Sequence, residues 1–143
     1  MTLDECDRIA QSAVSKVGGT RAILCLYTGL MPEFCEPMLR DPLPVLGWPF
    51  DALEQETATA RDINPTIEDG VLMFGRKDVA TAYRSTGWSY RLFPPPAVAA
   101  TVANKGSAFN SCLLMSQVER VDALYQIGER RAWRFRLGLA SPL

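Results

Sequence analysis

The chain has 143 residues, of which 48% are hydrophobic and 22% are charged, a composition typical of one globular domain rather than of a disordered segment. It contains no histidine, which excludes Ser-His-Asp and Cys-His catalysis and every metal site that needs an imidazole ligand. The net charge of −1 is unevenly distributed, because residues 1–70 carry 5 basic and 12 acidic side chains whereas residues 71–143 carry 10 basic and 4 acidic ones. An enzyme without histidine that uses carboxylates is one interpretation that this composition leaves open.

The four cysteines lie too far apart in the sequence for a CxxC metal or redox pair. Cys6 and Cys25 have apolar neighbours, which favours buried free thiols over disulfides. The N-terminus is acidic, unlike a secretory signal, and no apolar run approaches the roughly 20 residues of a membrane span. We expect a protein synthesised in the cytoplasm that has no metal, no cofactor and no membrane contact.

Residues 2–17 have the pattern of one amphipathic helix. Thr2 and Glu5 have the spacing of a capping box, and the glycines at 18–19 predict the end of the helix. The residues at helical spacing form a narrow apolar stripe: Leu3, Cys6, Ala10, Ala13, Val14 and Val17. The stripe fits equally well against its own domain or against a neighbouring subunit. We therefore divide the chain into an N-terminal helix, 1–19, and a single β-sandwich domain, 20–143.

Residues 21–27 predict a β-strand that ends at Thr28 and Gly29. Five prolines between residues 30 and 50 exclude a helix or a central strand, and they predict an irregular arm or an edge segment. Residues 51–60 predict a short helix, and residues 71–74 predict a short strand. Turns are expected on either side of that strand, at 68–70 and 75–78.

The second half of the chain has the clearer β pattern. Residues 86–93 alternate, which predicts Trp88, Tyr90 and Leu92 on one face of a strand that the prolines at 94–96 end. Residues 111–116 predict another short strand. Residues 120–139 predict a hairpin with a type II′ turn at Gly128–Glu129. Short strands separated by turns predict a mainly β fold, an antiparallel β-sandwich.

Few motifs in the sequence have the residues that catalysis needs. The string at 87–91 resembles the start of a nucleophile elbow, but arginine occupies the position of the second glycine and the chain has no histidine base. No phosphate-binding loop is present. The acid pairs Glu54/Glu56 and Glu68/Asp69 could serve a glycosidase or a metal, although neighbouring acids in such stretches are usually solvated. We therefore predict no enzyme and no catalytic, cofactor-binding or metal-binding residue.

A basic cluster near the C-terminus is the candidate protein interface: Arg130, Arg131, Arg134 and Arg136. The alternating pattern places Arg134 and Arg136 on the strand face opposite the apolar residues at 133, 135 and 137. A solvated outer face is the simplest interpretation of the cluster. A pI near 5.5 and aromatic residues on the other face argue against nucleic acid as a partner. A protein interface fits better, since arginine pairs with carboxylates through its planar fork and is enriched at interface hot spots.

Three segments resemble, in the same order, a group of small β-sandwich proteins from the structural modules of tailed bacteriophages. They are LCLYTG at 24–29 with Pro32, GWSYRL at 87–92, and IG at 127–128 followed by WRFRL at 133–137. Proteins of that group open with an aliphatic strand ending in Tyr-[Ser/Thr]-Gly-x-x-Pro, carry a Gly-x-Trp-x-Arg-like strand and finish with an alternating strand. The N-terminal helix, the arm and the three prolines after the Trp88 strand depart from the group's pattern.

The resemblance implies a non-enzymatic structural subunit of a tailed-phage virion, in the head, neck or tail. Its partners would be other virion proteins and copies of itself. An acidic and a basic half would suit head-to-tail contacts between such copies. The alternative is a cytosolic, β-rich protein-binding module that joins no particle.

Overall fold

A computed structural model describes residues 1–14, 22–95 and 105–143. Three helices and seven strands follow one another in these parts of the chain. In chain order they are α1 (Leu3–Ser12), β1 (Ala22–Thr28), β2 (Cys35–Pro37), α2 (Leu53–Ile63), β3 (Val71–Arg76), β4 (Arg84–Leu92), α3 (Ser107–Met115), β5 (Val121–Ile127), β6 (Ala132–Arg136) and β7 (Leu139–Pro142).

The strands form one sheet in the order β2-β4-β3-β1-β5-β6-β7. β1 and β3 pair in parallel, and the other neighbours pair antiparallel. A parallel pair needs a crossover connection, which here contains α2. The prediction of a β-rich fold is confirmed in this coarse sense. Within the described residues, however, helices take the place of the second sheet of the predicted sandwich.

Two apolar cores lie on opposite faces of the sheet. Side chains alternate along β1, so that Leu24 and Leu26 belong to one core and Cys25 to the other. The first core also receives α1, α2 and the aromatic residues Trp48 and Phe50, whereas the second receives α3. A sheet covered on both faces explains why β1 has four consecutive buried residues and β3 has five.

Helix α1 begins as its sequence predicts. Thr2 Oγ1 accepts a hydrogen bond from the Glu5 amide, and the Glu5 carboxylate accepts one from the Thr2 amide. The helix ends at Ser12, earlier than predicted, and the glycines at 18–19 lie outside the described residues. Cys6 and Ala10 of the apolar stripe are buried in the first core, so the helix packs on its own domain.

The strand predicted at 111–116 is wrong, because these residues belong to α3. Phe109, Cys112 and Leu113 are buried at the i, i+3 and i+4 spacing of a helix. A short apolar run such as 112–115 fits a buried strand and a buried helix equally well, and the period becomes visible only when Phe109 is included. The turn predicted at 75–78 is also displaced, since β3 extends to Arg76.

The alternation predicted for β4 breaks at Ser89. Trp88 packs in the first core, whereas Tyr90 and Leu92 pack against the second. Ser89 has a φ of +55°, in a part of the strand where the register with β3 shifts. Its hydroxyl donates to the Ile67 carbonyl over 2.8 Å, which supplies the buried side chain with a partner.

The hairpin predicted at 120–139 is confirmed as β5 and β6, but its turn differs from the prediction. Ile127 pairs with Ala132, and the Gly128 amide donates to the Arg131 carbonyl over 3.0 Å. Gly128 does not have the positive φ that a type II′ turn requires at its first central residue. A second turn at 137–138 ends the predicted alternation, and Leu139 opens the edge strand β7.

Candidate functional site

The four arginines of the predicted interface do not form one surface. Arg130 and Arg131 are exposed in the turn between β5 and β6, and Arg136 is exposed at the end of β6. Arg134 instead forms an ion pair with Asp7 of α1, and the two side chains are 27% and 18% exposed. Arg134 is therefore committed to a contact within the chain.

Asp7 also accepts a hydrogen bond from the Tyr125 hydroxyl over 2.6 Å. Burial and the bond to the Asp7 carboxylate both raise the pKa of Tyr125, since each disfavours the phenolate. Asp7 thus fastens α1 to β5 and β6. The two bonds join residues 118 and 127 positions apart in sequence, a distance over which local patterns carry no signal.

A second polar network lies at the ends of the parallel strands β1 and β3. The carboxylate of Asp122 accepts hydrogen bonds from Thr28 and from Tyr83, the latter over 2.6 Å. Arg76 donates to Thr28 over 2.8 Å and lies over the Tyr83 ring, with its Cζ atom 4.3 Å from the ring centroid. Sequence analysis singled out none of these side chains for a role.

This network stabilises the fold instead of offering reactive groups to a ligand. Tyr83 is fully buried, and its hydroxyl already has an acceptor. Burial and the Asp122 carboxylate raise the pKa of Tyr83, so the phenol stays protonated. Arg76 additionally donates to the Met1 carbonyl over 3.3 Å, which ties the start of the chain to the same point.

The predicted free thiols are confirmed. All four cysteines are unpaired; Cys6, Cys25 and Cys112 are buried, and Cys35 is partly buried. Burial raises the pKa of Cys6 and of Cys112 to about 12, so both thiols stay protonated and unreactive near neutral pH.

The acid pairs do not converge on one site. Glu68 forms an ion pair with Arg61, and Asp69 forms one with Arg40 over 3.3 Å. Glu54 and Glu56 are two positions apart on α2, a spacing at which helix side chains do not face each other. Within residues 1–14, 22–95 and 105–143, no group of three acidic or cysteine residues could hold a metal ion.

The basic and acidic halves of the sequence are interleaved in space. Arg134 pairs with Asp7, and Arg91 of β4 pairs with Glu36 of β2. Both pairs join a basic residue of the second half to an acidic residue of the first half. The uneven charge along the chain therefore does not by itself supply the acidic and basic surfaces expected for head-to-tail contacts.

The proline-rich arm carries the most exposed apolar side chains near a cleft. Leu39 is 82% exposed, Leu43 56% and Val45 74%. Leu39 and Leu43 line a cleft of about 410 Å³ together with Leu46, Trp88 and Tyr90. We call Leu39, Leu43, Val45 and this cleft the arm surface. The prolines predicted the irregular backbone correctly, but not which of its side chains would face solvent.

Hydrogen bonds hold the arm in place beneath this surface. The indole groups of Trp48 and Trp88 both donate to the Val45 carbonyl, each over 3.2 Å. The backbone then continues along the start of β4, where Gly47 donates to Ser85 and Ser85 donates to Trp48, each over 2.9 Å. The arm surface is thus fixed to the body of the domain.

The chain matches no protein-family model and no curated protein sequence. Its fold is similar to the crystal structure of a hypothetical membrane spanning protein from Bacillus cereus, with a TM-score of 0.64 and 12% sequence identity. The similarity covers 99% of this chain and 62% of that protein, and at this identity it shows the fold alone. Among the described residues of this chain, no helix is both long and apolar enough to cross a membrane.

Proposed function

We propose that this protein is a non-enzymatic subunit that works by binding other proteins, including copies of itself, through the arm surface. The observation that carries the proposal is the exposure of Leu39, Leu43 and Val45 beside an apolar cleft. Single exposed apolar residues are ordinary, but several together at the edge of a cleft are typical of a protein interaction site.

The arm surface needs little ordering before it binds. Trp48, Phe50 and Trp88 are buried, and Phe50 lies with its ring centroid 4.8 Å from that of Phe74 in the first core. Fixing a loop in advance lowers the entropy that association would otherwise cost. The anchored arm therefore supports binding through a largely preformed contact.

The edges of the sheet favour side-chain contacts over the addition of a further strand. The Met38 amide donates to the Ser89 carbonyl, so the even-numbered residues of β2 point their backbone groups at β4. The Leu143 amide donates to the Ala132 carbonyl, so the odd-numbered residues of β7 point theirs at β6. Pro37 and Pro142 consequently occupy outward-facing positions and have no amide hydrogen to offer another strand. Contacts through the arm surface avoid this obstacle.

Sedimentation velocity over a wide concentration range tests the self-association. We expect Leu39→Asp and Val45→Asp to weaken association by about tenfold each, because each removes roughly one buried apolar side chain from the contact. The matched control is Val79→Asp, since Val79 is 77% exposed in the β3–β4 connection and does not line the cleft of the arm surface. A wild-type protein that stays monomeric at every concentration, or a control that behaves like the arm variants, would contradict the proposal.

A narrower proposal is that the protein is part of a tailed-phage particle. It is supported by the three segments that resemble phage structural proteins, although the single mixed sheet differs from the sandwich of that group. Mass spectrometry of purified phage particles distinguishes the two alternatives. Detection of the chain in the particles supports a particle subunit, and its absence favours the cytosolic protein-binding module.

A further inference from the structure

A second cleft, of about 220 Å³, lies beside the turn of the β5–β6 hairpin. Its wall includes Lys105, Phe109, Gln126, Arg131 and Trp133. We call it the Trp133 cleft. It brings basic and aromatic side chains together on one face, contrary to the sequence-based expectation that the arginines of this region lie away from the aromatic residues.

Two cations flank one indole ring in this cleft. Lys105 Nζ lies 5.0 Å from the centroid of the Trp133 ring, and Arg131 Cζ lies 6.0 Å from it. Both cations are exposed, and in the described part of the chain neither has a carboxylate within 4.0 Å. Among the described residues, the partners of these two cations are ring faces, which are weak partners in water.

The remaining groups fit an incoming anion. Gln126 faces Trp133 across the β5–β6 ladder and lines the cleft, where its side-chain amide could donate to an anion. The backbone of Arg131 is held by its bond from the Gly128 amide. Glu129 is the one acidic residue of this turn, and it is exposed without an ion pair to Lys105 or Arg131.

The size of the cleft limits what it can hold. Pockets that bury small-molecule ligands usually measure about 300–1,000 Å³, so this cleft fits a side chain better than a nucleotide. Nucleic-acid binding typically relies on about 6–10 phosphate contacts and on free aromatic faces for stacking. This cleft offers two cations and one indole ring, which is fewer contacts than such binding uses.

We propose that the Trp133 cleft binds a carboxylate side chain presented by an acidic segment of a partner protein. Lys105 and Arg131 would exchange contacts with the indole for charge-assisted hydrogen bonds to the carboxylate, which are stronger. Trp133 forms the floor and reports on binding. This site is separate from the arm surface, and it does not depend on the arm's function.

Titration with a short oligoglutamate peptide, followed through the NMR signal of the Trp133 indole N–H, tests the proposal. The signal is assigned by its loss in Trp133→Phe. We expect the peptide to shift this signal saturably, and Lys105→Gln and Arg131→Gln to weaken binding by about tenfold each. Both residues are exposed, so the thermal midpoint should not change. The control variant, Arg8→Gln/Lys77→Gln, removes two exposed charges elsewhere and should bind the peptide like wild type.

Any one of four results would overturn the proposal. The first is no saturable shift with oligoglutamate at low salt. The second is equal weakening by the cleft variants and the control variant, which would show a general charge effect. The third is tighter binding of oligothymidylate than of oligoglutamate, which would identify the cleft as a nucleic-acid site. An oligoglutamine peptide of the same length should produce no shift, and a shift equal to that of oligoglutamate would also contradict a carboxylate site.

Discussion

Replacement of Asp122 by alanine is expected to lower the free energy of unfolding by about 3–5 kcal/mol. The carboxylate accepts hydrogen bonds from Thr28 and Tyr83 and lies 3.9 Å from Arg76. Its removal leaves the fully buried Tyr83 phenol without an acceptor, and it takes the counter-charge from the Arg76 guanidinium, whose side chain is only 12% exposed. A buried donor that loses its partner costs far more than an exposed one.

Urea denaturation of Asp122→Ala, Asp122→Asn and Asp69→Ala measures this effect. Asp69 also pairs with an arginine, but its side chain is 68% exposed, so its loss should cost less than about 1 kcal/mol. Asp122→Asn retains an oxygen acceptor for Tyr83, so its loss of unfolding free energy should lie between those of Asp122→Ala and Asp69→Ala. A value for Asp122→Ala within about 1 kcal/mol of wild type would show that the network does not stabilise the fold.

Replacement of Phe74 by alanine is expected to cost about 3–5 kcal/mol as well, because it opens a cavity where the arm meets the sheet. Phe74 is fully buried, with ring centroids 5.3 Å from Trp48 and 4.8 Å from Phe50. The loss therefore removes a ring that packs against both aromatic anchors of the arm, Trp48 and Phe50. We expect limited proteolysis to cleave the arm faster in this variant.

The matched control for Phe74→Ala is Phe93→Ala. Phe93 also makes an edge-to-face contact, with Phe34 at 6.3 Å between centroids, but it is 41% exposed. Its truncation should cost about 1 kcal/mol and leave the part of the arm around Trp48 protected, because the contact with Phe34 lies near the start of the arm. Equal costs for the two variants, measured by chemical denaturation, would mean that the arm is not anchored through Phe74.

Sequence patterns predicted the elements whose signals are local. Thr2 and Glu5 marked the start of α1, the prolines marked the arm, and the alternation at 121–127 marked β5. They failed where the signal was ambiguous or distant. The short apolar run of α3 has no unique period, and the parallel pairing of β1 with β3 depends on a crossover that no single segment reveals.

The candidate sites likewise could be predicted where the signal is local and could not where it depends on distant residues. Exposure of the arm could be anticipated from its prolines, because a backbone without regular pairing lies at the surface. The contact between Arg134 and Asp7 could not be anticipated, since the two residues are 127 positions apart in sequence. This contact removes one arginine from the predicted interface. The Trp133 cleft was likewise hidden, because Lys105 approaches Trp133 only through the position of α3.

Site-specific photo-crosslinking in the producing cell tests the central claim, that the arm surface contacts another protein. A photoreactive residue replaces Leu43 in one variant and Val79 in the other, both of them exposed apolar positions. The account predicts a defined crosslinked protein, identified by mass spectrometry, at position 43 but not at 79, and its loss when Leu39→Asp is added. No crosslink at position 43, or the same product at both positions, would contradict it.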